Sequence, residues 1–121
     1  MSALLLRLAA WLYVVALVLM TLGPTRFRPE TAMSPLFEHL AAFCFSGLLF
    51  VVGYRTHRML LVLWGGTFAV LLEFLQIWAP GRHPRMIDLT MDASGFWIGL
   101  AVGFILLRGL GNARKRYEPA G

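Results

Sequence analysis

The chain has 121 residues, 59% hydrophobic and only 14% charged, with a mean hydropathy of +0.71. Too little polar surface is left to coat a water-soluble core of this size, which excludes an ordinary soluble domain. The net charge of +5 invites a nucleic-acid reading, but the basic residues flank apolar segments instead of lining one soluble face, which excludes that as well.

Four apolar segments follow one another, each near the roughly 20 residues needed to cross a bilayer. The first covers residues 4–22 and carries one charge, Arg7. An early basic residue before an apolar stretch also suits a signal peptide. However, the run Val18-Leu19-Met20-Thr21-Leu22 offers no small-x-small cleavage site, so a retained anchor is expected. Gly23-Pro24 ends this segment. The second covers 35–53 and has Glu38 and His39 within about one turn of its start. Its Cys44 is the only cysteine, so no disulfide framework or cysteine metal cluster can form within one chain, and it reads as a small buried hydrophobe. The third covers 59–79 and carries Glu73 and Gln76 before Pro80-Gly81. The fourth covers 87–107 and begins with Asp88 and Asp92. The expected fold is all-α: a single polytopic domain of four transmembrane helices, embedded in a lipid bilayer.

Four spans put both termini on one side. That side collects Arg7, Arg55, Arg58, Arg108, Arg114, Lys115 and Arg116, seven of the eleven basic residues. Arg26, Arg28, Arg82 and Arg85 fall on the other. The bias of basic residues toward the inner face of a membrane predicts cytoplasmic termini. The acids are sorted the opposite way. Only Glu118 lies on the side of the termini, whereas Glu30, Glu38, Glu73, Asp88 and Asp92 lie in or near the other half.

These outer acids are spaced to converge. Glu73 lies roughly 10 Å inside the third helix and Asp92 roughly 6 Å beyond Asp88. Glu73 and Gln76 share a helix face, as do Asp88 and Asp92. The face of the fourth helix continues as Gly95, Gly99 and Gly103, small residues that let another helix approach closely. The third helix has a similar narrow face of Gly66, Ala69, Glu73 and Gln76. Docking the two faces predicts third-to-fourth packing through Gly66/Ala69 and Gly95/Gly99, with Glu73 near Asp92. The loop at 80–87 would then cap the acids with Arg82, His83 and Arg85. Plainer readings stand beside this one. Asp88 suits a helix cap, Glu73 suits an assembly ion pair with Arg82 or Arg85, and both arginines suit phospholipid headgroups. His39 and His83 read as hydrogen-bonding residues, because their spacing forms no zinc pattern. No metal or cofactor is expected.

The run Glu73-x-x-Gln76, Pro80-Gly81-Arg82, Asp88 and a glycine-rich helix resembles VanZ-like membrane proteins. The Thr21-x-x-Pro24 end of the first span and the Glu38-His39-x-x-Ala42-Phe43 entry to the second extend the resemblance over nearly the whole chain. Three positions depart from it: Pro35 and Leu36 stand where many members have an Asp-Lys pair, and Asp92 stands where many have Asn. The resemblance implies a small multi-pass protein of the bacterial cytoplasmic membrane. One member of the family is associated with glycopeptide antibiotic resistance, an association that does not pass to a short member by resemblance alone.

Three functions suit these residues. The first is a cell-envelope accessory protein whose site takes an anionic lipid or lipid-linked envelope precursor. Arg82 and Arg85 would grip phosphate, and Glu38, His39, Glu73, Gln76, Asp88 and Asp92 would complete the site. The second is an enzyme acting on such a lipid, with Glu73 or Asp92 as base and Arg82 or Arg85 stabilising developing charge. Ser46 and Ser94 stand in no triad context, so no activated nucleophile is evident. The third is a component of a proton-coupled transporter, for which acids confined to one half of the membrane would need an oligomer or a membrane-protein partner.

Overall fold

A computed structural model describes residues 2–22, 35–78 and 86–117. Among these, the chain forms four helices: α1 (Ala3–Leu22), α2 (Pro35–Gly53), α3 (Arg58–Gln76) and α4 (Met86–Tyr117). All four are long and apolar enough to cross a membrane. The protein is an all-α, multi-pass membrane protein. Most large hydrophobics point outward, among them Leu4, Leu12, Leu19, Leu60 and Ile105. This is the arrangement a hydrocarbon solvent favours, since each helix satisfies its own backbone and lipid covers its apolar flank.

Two helix ends differ from expectation. The third helix ends at Gln76, three residues early, where the N–H groups of Ile77 and Trp78 bond the carbonyls of Phe74 and Leu75 at 3.2 and 3.1 Å. This tighter turn satisfies carbonyls that a helix end leaves open. The fourth helix runs ten residues past 107, to Tyr117. Its 32 residues measure roughly 48 Å, well beyond the ~30 Å hydrocarbon core. Arg114, Lys115 and Arg116 sit in its last turn, where positive charge meets the open carbonyls.

The packing follows from where small residues fall. On α4 the buried positions Asp88, Asp92, Gly95, Gly99 and Gly103 make one stripe. A Cβ added at Gly95 would stand 2.5 Å from the Leu40 carbonyl oxygen, and one at Gly99 would collide with the backbone of Cys44. A Cβ at Gly47 would in turn meet the Cα of Gly99 at 3.1 Å. Gly47 and Gly99 thus mark a crossing at which two backbones touch. Contact positions rise together along both helices, from His39 with Asp92 to Val51 with Gly103, so α2 and α4 run parallel.

This corrects the partner assigned to the glycine stripe: Gly95, Gly99 and Gly103 dock on α2, not on α3. The physical reason is that α3 offers its small residues to aromatic rings. Phe96 fills the space above Gly65, and Trp97 lies against Gly66, where an added Cβ would be 3.2 Å from its ring. Trp97 Nε1 donates to the Val62 carbonyl at 3.0 Å, and the Arg58 guanidinium lies 4.9 Å from the Phe104 ring centre. These pairs run in opposite senses, so α3 is antiparallel to α4. Ala69 is fully buried.

An aromatic core fills the middle. Trp64 stacks on Phe68 at 5.2 Å, Phe68 meets Phe43 at 5.8 Å, and Phe50 meets Phe96 at 5.9 Å. α1 joins through a stripe of Ala10, Val14, Leu17 and Thr21. It is tied down near the terminal end, where Arg7 Nε donates to the Gly53 carbonyl at 2.9 Å and the guanidinium lies 4.6 Å from the Tyr54 ring centre. Trp11 Nε1 donates to the Tyr54 hydroxyl at 2.9 Å. Because this links the start of α1 to the end of α2, Trp11→Phe is expected to loosen the terminal end by about 1 kcal/mol, the usual worth of one net hydrogen bond. Thermal unfolding in detergent micelles would read this as a small downward shift.

Candidate functional site

At the end of the bundle away from the termini, polar side chains turn inward from every helix. Thr21 comes from the last turn of α1, His39 from the first turns of α2, Glu73 and Gln76 from the end of α3, and Asp88 and Asp92 from the start of α4. Thr21, Glu73, Gln76, Asp88 and Asp92 are all buried. A carboxylate facing hydrocarbon is costly, so acids at membrane depth turn toward protein. The local sequence achieves this by spacing: Glu73 and Gln76 lie on the stripe that buries Phe68, Ala69 and Leu72, and the two aspartates continue the glycine stripe.

A short polar contact joins α2 to α4. His39 Nδ1 donates to Asp92 Oδ1 across 2.8 Å, with the aspartate wholly buried and the histidine side chain 11% exposed. Gly95 lets Leu40 come close, so the helices are near enough for a short side-chain bond one turn further out. The carboxylate fixes the ring's orientation and tautomer, placing Nδ1–H toward Asp92 and Nε2 on the other side of the ring.

Among the expected residues, Glu73, Gln76, Asp88 and Asp92 are buried at one end, and Glu38 is half-buried beside His39 in α2. The antiparallel register that sets Val62 by Trp97 and Arg58 by Phe104, continued outward, brings Glu73 to the first turns of α4, where Asp88 and Asp92 stand. Asp88 is the third residue of α4 and buried, so it stands inside the first turn and not before it. There a carboxylate still faces the open N–H groups of the helix start. Arg82, His83 and Arg85 lie outside the described residues, as do Arg26, Arg28, Glu30 and Glu118. Among the described residues, no group of three His, Cys, Asp or Glu side chains is placed to hold a metal ion.

Sequence reasoning missed the structural roles of three positions. Gly47 makes the crossing with Gly99; its signal was the small pair Ser46-Gly47 between Phe43 and Phe50. Thr21 is buried at the polar end, and its position four residues after the buried Leu17 was the available hint. Ser46 Oγ is fully buried about two turns below His39 and makes no hydrogen bond to a described residue. No periodicity in the sequence singles it out.

The arrangement defines a class: a four-helix membrane protein with a cluster of buried polar side chains at one end and an aromatic core beneath it. Comparison with protein-family models, characterised proteins and solved structures finds no match to the chain.

Proposed function

We propose that the protein is a short VanZ-like accessory protein of the bacterial cytoplasmic membrane, with both termini inside. Its outward polar pocket binds the headgroup of an anionic lipid or lipid-linked envelope precursor. The observation that carries this reading is the burial of Glu73, Gln76, Asp88 and Asp92 beside His39 at one end. Carboxylates at membrane depth are costly to bury, which favours a function for them over packing alone. Arg82 and Arg85 fall in the sequence between Gln76 and Asp88, so the segment joining α3 to α4 carries the positive charge a phosphate requires. The acids and Gln76 then receive the hydroxyl and amide donors of the headgroup.

Arg82→Ala and Glu73→Gln are each expected to lower binding of anionic-lipid vesicles about tenfold while membrane abundance stays near normal, since one charge-assisted bond contributes about 1.5–3 kcal/mol. If abundance falls in step with binding, and opposite-charge swaps restore it, the charges serve assembly and the pocket reading is lost. The topology has its own test. A reporter fused after Gly121 is expected to be active only on the cytoplasmic side, and one inserted within 80–87 only outside; the reverse pattern would overturn it.

A second reading, catalysis on the same lipid, is favoured by one observation. The 2.8 Å contact between His39 and Asp92 has the form of a carboxylate-oriented histidine. With Nδ1–H held by the acid, a neutral ring presents Nε2 as a proton acceptor for a water or hydroxyl group in the pocket. Release of a water-soluble headgroup from vesicles by the purified protein, absent in His39→Gln, would favour this reading over binding alone.

A further inference from the structure

The last turns of α4 leave the bundle. Gly103 is the last buried residue of the helix, the apolar run stops at Leu107, and every position from 108 to 117 is exposed. The helix past Leu107 reaches about 15 Å further. This segment is basic throughout: it carries Arg108, Arg114, Lys115 and Arg116, and no acid occurs between Asp92 and Glu118. The other basic residues at this end are held by the bundle. Arg7 donates to the Gly53 carbonyl, Arg55 donates to the Val52 carbonyl, and Arg58 lies against the Phe104 ring.

The side chains of the segment are sorted by face. Leu106, Leu110, Ala113 and Tyr117 recur at steps of four, three and four residues and make one apolar stripe. Arg108, Asn112, Lys115 and Arg116 recur on the opposite side, with Arg114 at the border. A helix standing upright in water gains nothing from the apolar stripe, whereas one lying in a membrane surface buries it. The bend this requires falls where the chain resists least. Gly109 and Gly111 have nothing within 4 Å, so a change of direction there breaks no packing, and glycine holds a helix less firmly than any residue except proline.

We infer that residues 110–117 turn down at Gly109 and Gly111 and dock on the anionic lipid surface of the bilayer that holds α4. Leu110, Ala113 and Tyr117 enter among the acyl chains, and Arg114, Lys115 and Arg116 lie beside the phosphates. The occupant is the protein's own bilayer because α4 is already anchored in it. The whole segment stays within about 15 Å of the headgroups, not far beyond the ~8–10 Å over which charges act at ordinary ionic strength. A soluble polyanion has no such tether and must be captured from solution. The apolar stripe also selects lipid over nucleic acid, which offers phosphate to the basic residues but nothing for Leu110 and Tyr117 to enter. This surface lies at the opposite end of α4 from Asp88 and Asp92 and stands independently of the function proposed for them.

The test uses full-length protein with Cys44→Ala, carrying one fluorescent label through Asn112→Cys, Ala113→Cys or Tyr117→Cys. It is placed in nanodiscs of phosphatidylcholine alone or in equal parts with phosphatidylglycerol, with both faces open to solvent. Acrylamide, a neutral quencher dissolved in the water, reads exposure. With phosphatidylglycerol present, labels at 113 and 117 are expected to lose most of their quenching while the label at 112 keeps it, and high salt should restore quenching at all three. Lys115→Gln combined with Arg116→Gln should move the ratio of docked to free segment about thirtyfold toward free. Gly109→Ala combined with Gly111→Ala straightens the helix and should weaken docking severalfold while thermal unfolding stays unchanged. Equal quenching at 112, 113 and 117 with phosphatidylglycerol would overturn the docked face. Protection of 113 and 117 that is as strong in phosphatidylcholine alone, or unchanged by the two glutamines, would overturn anionic lipid as the partner. Docking unaffected by the two alanines would overturn the bend at the glycines. Quenching restored by a short DNA duplex at constant salt would assign the segment to nucleic acid instead.

Discussion

Gly99→Leu is expected to separate α2 from α4 and to cost about 3 kcal/mol or more, the upper range for overpacking a tight interface. The Cys44 backbone lies where the new Cβ must go, and backbone at a helix crossing cannot rotate away as a side chain can. Gly47→Leu should do comparable damage, because its Cβ would meet the backbone of Phe96, Gly99 and Leu100. Gly66→Ala is the control: its Cβ meets only the edge of the Trp97 ring, at 3.2 Å, and a small tilt of the indole relieves it. Gly109 and Gly111 have nothing within 4 Å and should accept alanine freely. Unfolding by a denaturing detergent, followed by tryptophan fluorescence, would rank these variants. If Gly99→Leu unfolds with the unaltered protein while Gly66→Ala does not, the stripe docks on α3 after all.

Removing His39 should be more harmful than altering its partner conservatively. His39→Ala withdraws a hydrogen bond from a wholly buried carboxylate, a loss of about 2–3 kcal/mol. Asp92→Asn keeps an oxygen that accepts from Nδ1–H, and its expected cost is below about 1 kcal/mol. His39→Ala combined with Asp92→Leu should recover part of the single loss, because no buried acid is then left without its histidine. The same detergent titration, run as a double-mutant cycle, measures the coupling. Strictly additive losses would mean that the pair contributes no stability of its own. Asp92→Asn also tests function separately from folding. A neutral amide keeps the Nδ1–H bond but lacks the charge that stabilises the imidazolium formed when His39 takes a proton, so a catalytic site would lose turnover in a protein that remains intact.

The fold was legible because a bilayer demands so much of a sequence. Segments of about twenty predominantly apolar residues, set apart by Gly23-Pro24 and Pro80-Gly81, admit few readings, and α2 fell within its expected bounds. The inward direction of Glu73, Gln76, Asp88 and Asp92 was also legible, since no other direction is affordable in hydrocarbon. The partners were not. Small residues announce that a helix will come close, but they do not say which one. Gly66 and Gly99 look alike as letters, yet one receives an indole and the other a backbone. That difference depends on Phe96 and Trp97 rotating onto α3, which a helical repeat does not specify. His39 and Asp92 are 53 positions apart, and only the parallel course of α2 and α4 brings them together. The downward limit of α4 was missed for a related reason. Hydropathy ends at Leu107, whereas helix propensity continues through Ala113, Arg114, Lys115 and Arg116.

The parallel contact of α2 and α4 also sets an order of assembly. The tightest interface joins the second helix to the fourth, with α3 and both of its connections synthesised between them. Until α4 has entered the bilayer, the face of α2 at Leu40, Cys44 and Gly47 has no backbone to meet. The three earlier helices are held meanwhile by rings, Trp11 on Phe50 and Phe43 on Phe68. These contacts span 39 and 25 positions of chain against 52 between Gly47 and Gly99, so they can form earlier, whereas the more distant pairing must wait. Chains that stop short of α4 therefore present an open glycine crossing and, with Asp92 absent, a histidine lacking its carboxylate. Incomplete product would be distinguishable from finished protein by the membrane's own proteases, without any dedicated signal.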